Sequence, residues 1–400
     1  MTTPSAPGVT PRDVPPGRRP VICGLGMTEL GKVYGPTAAQ FAGDAVRLAA
    51  ADAGLALDDI DGLLVSSGVT NGVHLDLQLD PGLHDLGLLS EMQAYGSTAG
   101  AMVQVASMAV QSGMASTVAC VWADAPLQQG RSTSVAYGAA TRIPAGWRGI
   151  SAASGLVSAN QMYALAARRH MERFGTTSEQ LGAIAVAQRD WAVMNPRAQL
   201  RTPITIEDYL SSRWIAEPFH LLDCCLVSNG GIAVIVTAAD RAAHLRQPPV
   251  YVRGWAQSHP GHSGRRFDDF GLVSGAATAG PAALRMADVA LDDIDVVELY
   301  DCYTYTVLVT LEDYGFCAKG EGGPFAASGA LGPDGKLKLN TGGGQLSSYY
   351  LWGMTPLSEA VIQARGQAGD RQVPDHDLIL VSGNGGVLDH HSTLVLAATS

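Results

Sequence analysis

Long apolar runs are missing from this sequence. No stretch approaches the roughly 18–20 uninterrupted residues that a membrane-crossing helix needs, so no membrane span is expected. Basic charge is scarce as well: 26 Lys and Arg stand against 37 Asp and Glu, for a formal net charge of −11, and no Lys/Arg-rich run offsets it. A surface of that sign repels a phosphate backbone, so nucleic acid is not an expected partner. Residues 1–18 are rich in proline and lack the apolar segment of an export signal, and they read as a disordered lead. The six cysteines (Cys23, Cys120, Cys224, Cys225, Cys302 and Cys317) make neither a disulfide framework nor a C-x-x-C metal spacing. Without an export signal, a reducing cytoplasm is the expected compartment. No metal is expected: proline and glycine between His259 and His262 indicate a turn, and no third ligand is near.

What is present is a repeat. Ala56-Leu57-Asp58-Asp59-Ile60-Asp61 recurs 234 residues later as Ala290-Leu291-Asp292-Asp293-Ile294-Asp295. Each copy follows an alanine-rich helical stretch (38–53; 282–287) and precedes a short apolar strand (63–65; 296–299). A second pair agrees in kind: an amphipathic helix at 96–112 leads to a strand at 117–122, and one at 354–365 leads toward 378–382. The chain therefore reads as two similar α/β halves, 19–245 and 246–400, joined near 241–249 where the pattern breaks. An insertion at about 126–218 interrupts the first half, with helices expected at 158–173 and 178–194. Thr177 to Gln180 offers an N-cap for the second, and Asn195-Pro196 a stop. A cap over an active site and a purely structural layer both fit that pattern.

Three segments are more specific: Glu298-Leu299-Tyr300-Asp301-Cys302-Tyr303, Asn340-Thr341-Gly342-Gly343-Gly344, and Gly383-Asn384-Gly385-Gly386. With Glu217-Pro218, Leu222-Asp223-Cys224 and Ser228-Asn229-Gly230, they resemble the thiolase superfamily from about residue 20 to 396, in particular its sterol-carrier-protein-x and lipid-transfer branch. The resemblance implies a five-layered α-β-α-β-α fold, with the insertion as a helical cap, and a homodimer. A thiolase needs a cysteine at the N-terminus of the first-half core helix, where the helix dipole favours thiolate. That position is Gly96 here, with Ser97 beside it. The Asn-Glu pair of the second motif matches Thr306 and Val307, the base histidine matches Tyr350, and the second cysteine matches Ser382. Thiols and base are gone, so acyl-enzyme Claisen chemistry is not expected.

Tyrosines stand instead at 300, 303, 305, 349 and 350. Filling of a widened cavity explains some of them. Retro-aldol cleavage of a 3-hydroxyacyl-CoA gives the same thioester enolate as thiolase chemistry yet needs no thiol, only a base, an acid and an enolate site. An unperturbed phenol, with a pKa of about 10, must be activated to act as that base. The pattern is similar to actinobacterial lipid-transfer-type aldolases of steroid side-chain degradation. That resemblance implies Tyr300 and Tyr350 as the acid/base pair and a separate DUF35-type OB-fold protein as partner. Gly343, Gly344, Gly383, Asn384, Gly385, Tyr303 and Tyr349 are the expected substrate-binding positions. Coenzyme A enters as part of the substrate and no other cofactor is expected. The rivals are a Friedel–Crafts-type acyltransferase using Ser97 and a non-catalytic acyl-CoA or lipid-binding protein. The Gly342–Gly344 amides suit an enolate or phosphate, though tight packing explains them equally. His390 and His391 are candidates for the pocket border, His84 reads as a hydrogen-bonded structural histidine, and Cys224-Cys225 as buried strand.

Overall fold

The computed structural model describes residues 14–133, 136, 146–260 and 270–400. The first half contributes strands β1 (Pro20–Met27), β2 (Gly62–Ser66), β3 (Leu88–Glu91), β4 (Thr117–Asp124) and β5 (Gly230–Ala238). The second contributes β6 (Val250–Ser258), β7 (Val296–Glu298), β8 (Lys338–Leu339), β9 (Leu378–Gly385) and β10 (His390–Ala397). They form one sheet in the order β8-β7-β9-β10-β6-β1-β5-β4-β2-β3. Counted outward from the β6/β1 seam, each half has the same order, which is the architecture the repeat foretold. The seam itself is thin, since only Val21↔Tyr251 and Ile22↔Val250 pair across it.

The repeated acidic hexapeptide has a mechanical job. Asp59 accepts the backbone N–H of Ala56 at 2.9 Å, and Asp293 that of Ala290 at 2.8 Å, each closing a single 3₁₀ turn. Asp61 then accepts from Thr117 N at 2.8 Å, and Asp295 from Leu378 N at 2.9 Å. Each copy thereby fastens the first residue of the next parallel strand, β4 or β9, beside its neighbour.

Helix α1 (Ala38–Ala53) is stopped by Gly54 at φ 76° and packs on β1, β4 and β5. Period-two alternation splits β4 between two cores: Ala119, Val121 and Ala123 face α1, while Val118, Cys120 and Trp122 face inward. There lie α2 (Thr98–Ser112) and, from the other half, α7 (Met354–Ala364), each touching strands of both halves. Outside the second half-sheet lie α5 (Ala276–Ala287) and α6 (Thr304–Tyr314). The layers are therefore α, β, α, β, α.

The halves differ most in the connection between their last two strands. β9 reaches β10 through residues 386–389, whereas β4 reaches β5 through 125–229. That long connection carries α3 (Ala159–Phe174) and α4 (Ser178–Val193), within a residue or so of the expected bounds because both are set by local capping boxes at Ser158 and Thr177. Two expectations are corrected. Cys224 and Cys225 lie in a half-buried loop, not a strand, since the Cys225 amide donates to Cys302 O at 3.0 Å. His84 is exposed. Of the lead expected at 1–18, residues 1–13 lie outside the described residues, as does His262, and the remainder is ordered, with a 3₁₀ turn at Pro16–Arg18 set by the fixed φ of its prolines.

Candidate active site

Tyr300 leaves the end of β7 on a backbone tied down on three sides. Leu299 N donates to Asn340 Oδ1 at 2.6 Å, and the Asp301 carboxylate accepts from the amides of Gln345 and Leu346 at 2.8 and 3.2 Å. Cys302 O accepts from Cys225 N. The partner strand of chain turns at Asn340, Gly343 and Gly344, all at positive φ, into a π-type turn over Gly344–Ser348. Tyr350 follows it, its amide donating to Ser228 Oγ at 3.0 Å. These ties bring the Tyr300 and Tyr350 hydroxyls to 3.3 Å. Tyr300 is buried and Tyr350 half-buried.

The first half contributes Gly96, in the 3₁₀ turn Tyr95–Ser97 that leads into α2. A Cβ placed on Gly96 would stand 2.2 Å from Cε2 and 2.3 Å from Cζ of Tyr300, and 2.2 Å from the carbonyl oxygen of Asn384. The ring of Tyr300 thus occupies the space where a side chain at this position would begin. Gly353, the N-cap of α7, is equally close: a Cβ there would meet Gly96 O at 2.5 Å. The N-terminal ends of α2 and α7 therefore converge beside the ring, and their dipoles favour negative charge there.

Burial, then the neighbouring Tyr350 and Cys302, push the Tyr300 phenol well above its ordinary value. It is neutral and can donate. Burial also raises the Cys302 thiol to about 12 and the Cys225 thiol well above 9, so neither offers a thiolate. Ser97 is buried and its hydroxyl donates to Ala94 O at 2.8 Å; among the described residues no hydrogen bond joins it to a base.

The other expected positions divide. Tyr303 donates to Asn160 Oδ1 of α3 at 2.6 Å and stacks on Phe219 and Tyr163, with centroids at 5.0 and 4.8 Å, so it fixes the cap to the second half. Tyr349 is buried against Ser358 Oγ at 3.0 Å. Gly343 donates its amide to Asn340 O, and a Cβ on it would strike Ala192 of α4 at 2.5 Å; one on Gly344 would strike Asp301. Close packing is what the geometry gives these two glycines. Gly383 and Gly385 let β9 pass against the turn at 94–97. Asn384 presents its carbonyl to Gly96, and neither polar atom of its buried side-chain amide has a partner among the described residues. His390 stacks on the half-exposed Tyr95 at 5.9 Å and lies 2.9 Å from His259, Nδ1 to Nδ1. His391 is buried on Tyr314, and burial lowers it to about 3. Sequence reading noticed Gly96 only as a missing cysteine, and it missed the Asp301 clamp. The Glu298–Tyr303 motif held that signal, since a carboxylate inside an apolar strand end needs buried partners.

Residues 256–398 match the family model described as "Thiolase C-terminal domain-like". The chain is 36% identical over 377 residues to the steroid side-chain-cleaving aldolase of Thermomonospora curvata, covering 91% of this chain and 95% of that protein. It is also 36% identical over 381 residues to the 17-hydroxy-3-oxo-4-pregnene-20-carboxyl-CoA lyase of Mycobacterium tuberculosis, covering 91% and 96%. Among solved structures, the Ltp2-ChsH2(DUF35) aldolase superposes with a TM-score of 0.84 at 36% identity, over 96% of this chain and 99% of that one. With matches of that identity running nearly end to end, the chain belongs to the thiolase superfamily, in the sterol-carrier and lipid-transfer branch that holds the steroid side-chain-cleaving aldolases.

Proposed function

We propose that the protein is a carbon–carbon lyase that cleaves a 3-hydroxyacyl-CoA, the side-chain CoA thioester of a 17-hydroxy steroid, to a 17-ketosteroid and propionyl-CoA. One observation carries the reading: two phenols 3.3 Å apart occupy a centre that retains no thiolate and no serine–base pair. Tyr350, the more exposed phenol, acts in its phenolate form and takes the proton of the substrate hydroxyl. The electron pair left on oxygen forms the ketone, and the bond to the carbon next to the thioester breaks. Its electron pair passes into the thioester enolate, whose oxygen sits at the converging N-termini of α2 and α7. Tyr300, kept neutral by burial, protonates the enolate carbon. The proton held by Tyr350 then returns to Tyr300 across the 3.3 Å contact, and the cycle closes without net proton change.

The chain works as a homodimer in the cytoplasm with a DUF35 OB-fold partner. Support for the partner comes from the solved aldolase whose name includes one. Support for the dimer is the edge strand β3, which among the described residues pairs with β2 alone. No described helix is long and apolar enough to cross a membrane. The test is mass spectrometry of products from a 17-hydroxy steroid with a three-carbon CoA-thioester side chain, with and without a DUF35 protein. Formation of the 17-ketone and propionyl-CoA is expected. Intact substrate in both arms, despite measurable binding, would overturn the lyase reading.

A further inference from the structure

A cleft between the ends of β1, α1 and α7 and the turn after α4 gathers guanidinium groups in a chain of net negative charge. Its volume is about 540 Å³, enough for a nucleotide-sized molecule. Arg197, Arg246, Arg365 and Arg371 all line it. The one lining carboxylate, Asp52, is already engaged by Leu25 N at 2.9 Å, Gln247 Nε2 at 2.9 Å and Arg365 Nη1 at 2.8 Å. Arg371 is answered from behind by Glu359, at 2.8 and 3.0 Å.

The other three arginines are not neutralised to the same degree. Arg197 is exposed and reaches Met27 Sδ at 3.6 Å, and Arg246 is exposed and donates to Ala51 O at 2.7 Å; neither has a carboxylate partner among the described residues. Arg365 is 9% exposed, and its Nε and Nη2 atoms have no hydrogen-bond partner among the described residues. A buried guanidinium with two nitrogens unanswered is costly, and an anion in front of it offsets that cost. Leu25, Leu48 and Ile362 add an apolar wall to the same cleft.

We infer that this cleft binds a small organic phosphate. Forked guanidinium donors match phosphate oxygens in pairs, and the apolar wall suits the organic body attached to them. Two sources share that chemistry: the phosphates of a coenzyme A thioester and a separate phosphorylated metabolite. The inference concerns binding alone and does not rest on the lyase reading.

Titration calorimetry of the full chain with inorganic pyrophosphate at low ionic strength tests it. One saturable site is expected, weakened at least about tenfold in the Arg197→Ala/Arg246→Ala double variant. Both side chains are exposed, so the thermal midpoint should be unmoved. Prior saturation with coenzyme A separates the sources. Loss of pyrophosphate binding assigns the cleft to the substrate's phosphates, and unchanged binding assigns it to a second ligand. Absence of saturable binding to the unaltered chain, or equal binding by the double variant, would overturn the inference.

Discussion

Changing Tyr300 to phenylalanine removes one oxygen and keeps the ring that fills the space above Gly96, so chemistry and packing can be read apart. Tyr300→Phe and Tyr350→Phe are each expected to lower kcat by about 100-fold or more while leaving the thermal midpoint nearly unchanged. Full activity in either variant would remove that residue from the mechanism. The pH profile carries a sign. Burial raises the Tyr300 phenol, so the donating form persists beyond the ordinary phenol range, and kcat should not fall through Tyr300 ionisation as pH rises through about 10. Gly96→Ala places a methyl group inside the ring contact. It should destabilise the protein by about 1–3 kcal/mol and abolish cleavage, and a wild-type rate in that variant would show that the ring has room to move. The tyrosines were legible in the sequence because they fell inside family motifs. The reason for Gly96 was not, since an overlap between residues 96 and 300 exists only once the two halves are packed.

Asp301 is the clamp between the elements that carry the two phenols. Burial raises its carboxyl from 3.8 to about 7, against three backbone hydrogen bonds that lower it. The folded state therefore binds this proton more tightly than the unfolded state does. That contribution to stability is complete below about pH 3.8 and is lost as pH rises through about 7. Asp301→Asn keeps an acceptor for the Gln345 and Leu346 amides but cannot titrate. Its denaturation midpoint, followed by chemical unfolding, should show a flatter dependence between about pH 4 and pH 7 than the unaltered protein. Identical profiles would mean that the group does not titrate in that window. At this scale, elements with local signals were readable: α3 and α4 have caps within four residues, and the Asp61 and Asp295 fasteners sit in a visible repeat. The loop at Cys224-Cys225 was misread as strand. Its backbone partners, Cys302 and Gln345, lie far off in sequence, and apolar content alone does not distinguish the two.

Taken as a whole, the molecule is a duplicated sheet folded around α2 and α7, with one half enlarged by the cap and, among the described residues, the longer of its two edge strands, β3, open on one side. Leu88 N and Met92 N donate inward, to Asp61 O and Val65 O, so by alternation the Glu91 N–H points outward from β3. Glu91→Pro should therefore spare the β2 pairing and shift the protein from dimer to monomer mass in light scattering. An unchanged mass would place the dimer contact elsewhere. The five layers were legible because duplication, helix and strand periods all agreed. The thin β6/β1 seam was not, since two pairs of residues leave no pattern. The site itself is shared, with Gly96 from one half and both tyrosines from the other, and this has a bearing on ancestry. Glycine and cysteine are one base apart in the genetic code, so a thiolase nucleophile at 96 looks a single step away. With the Tyr300 ring lodged against Gly96, any such revertant meets a collision before it gains a nucleophile. The arrangement behaves as a ratchet: a side chain at 96 can be seated only if residue 300, in the other half of the duplication, changes with it.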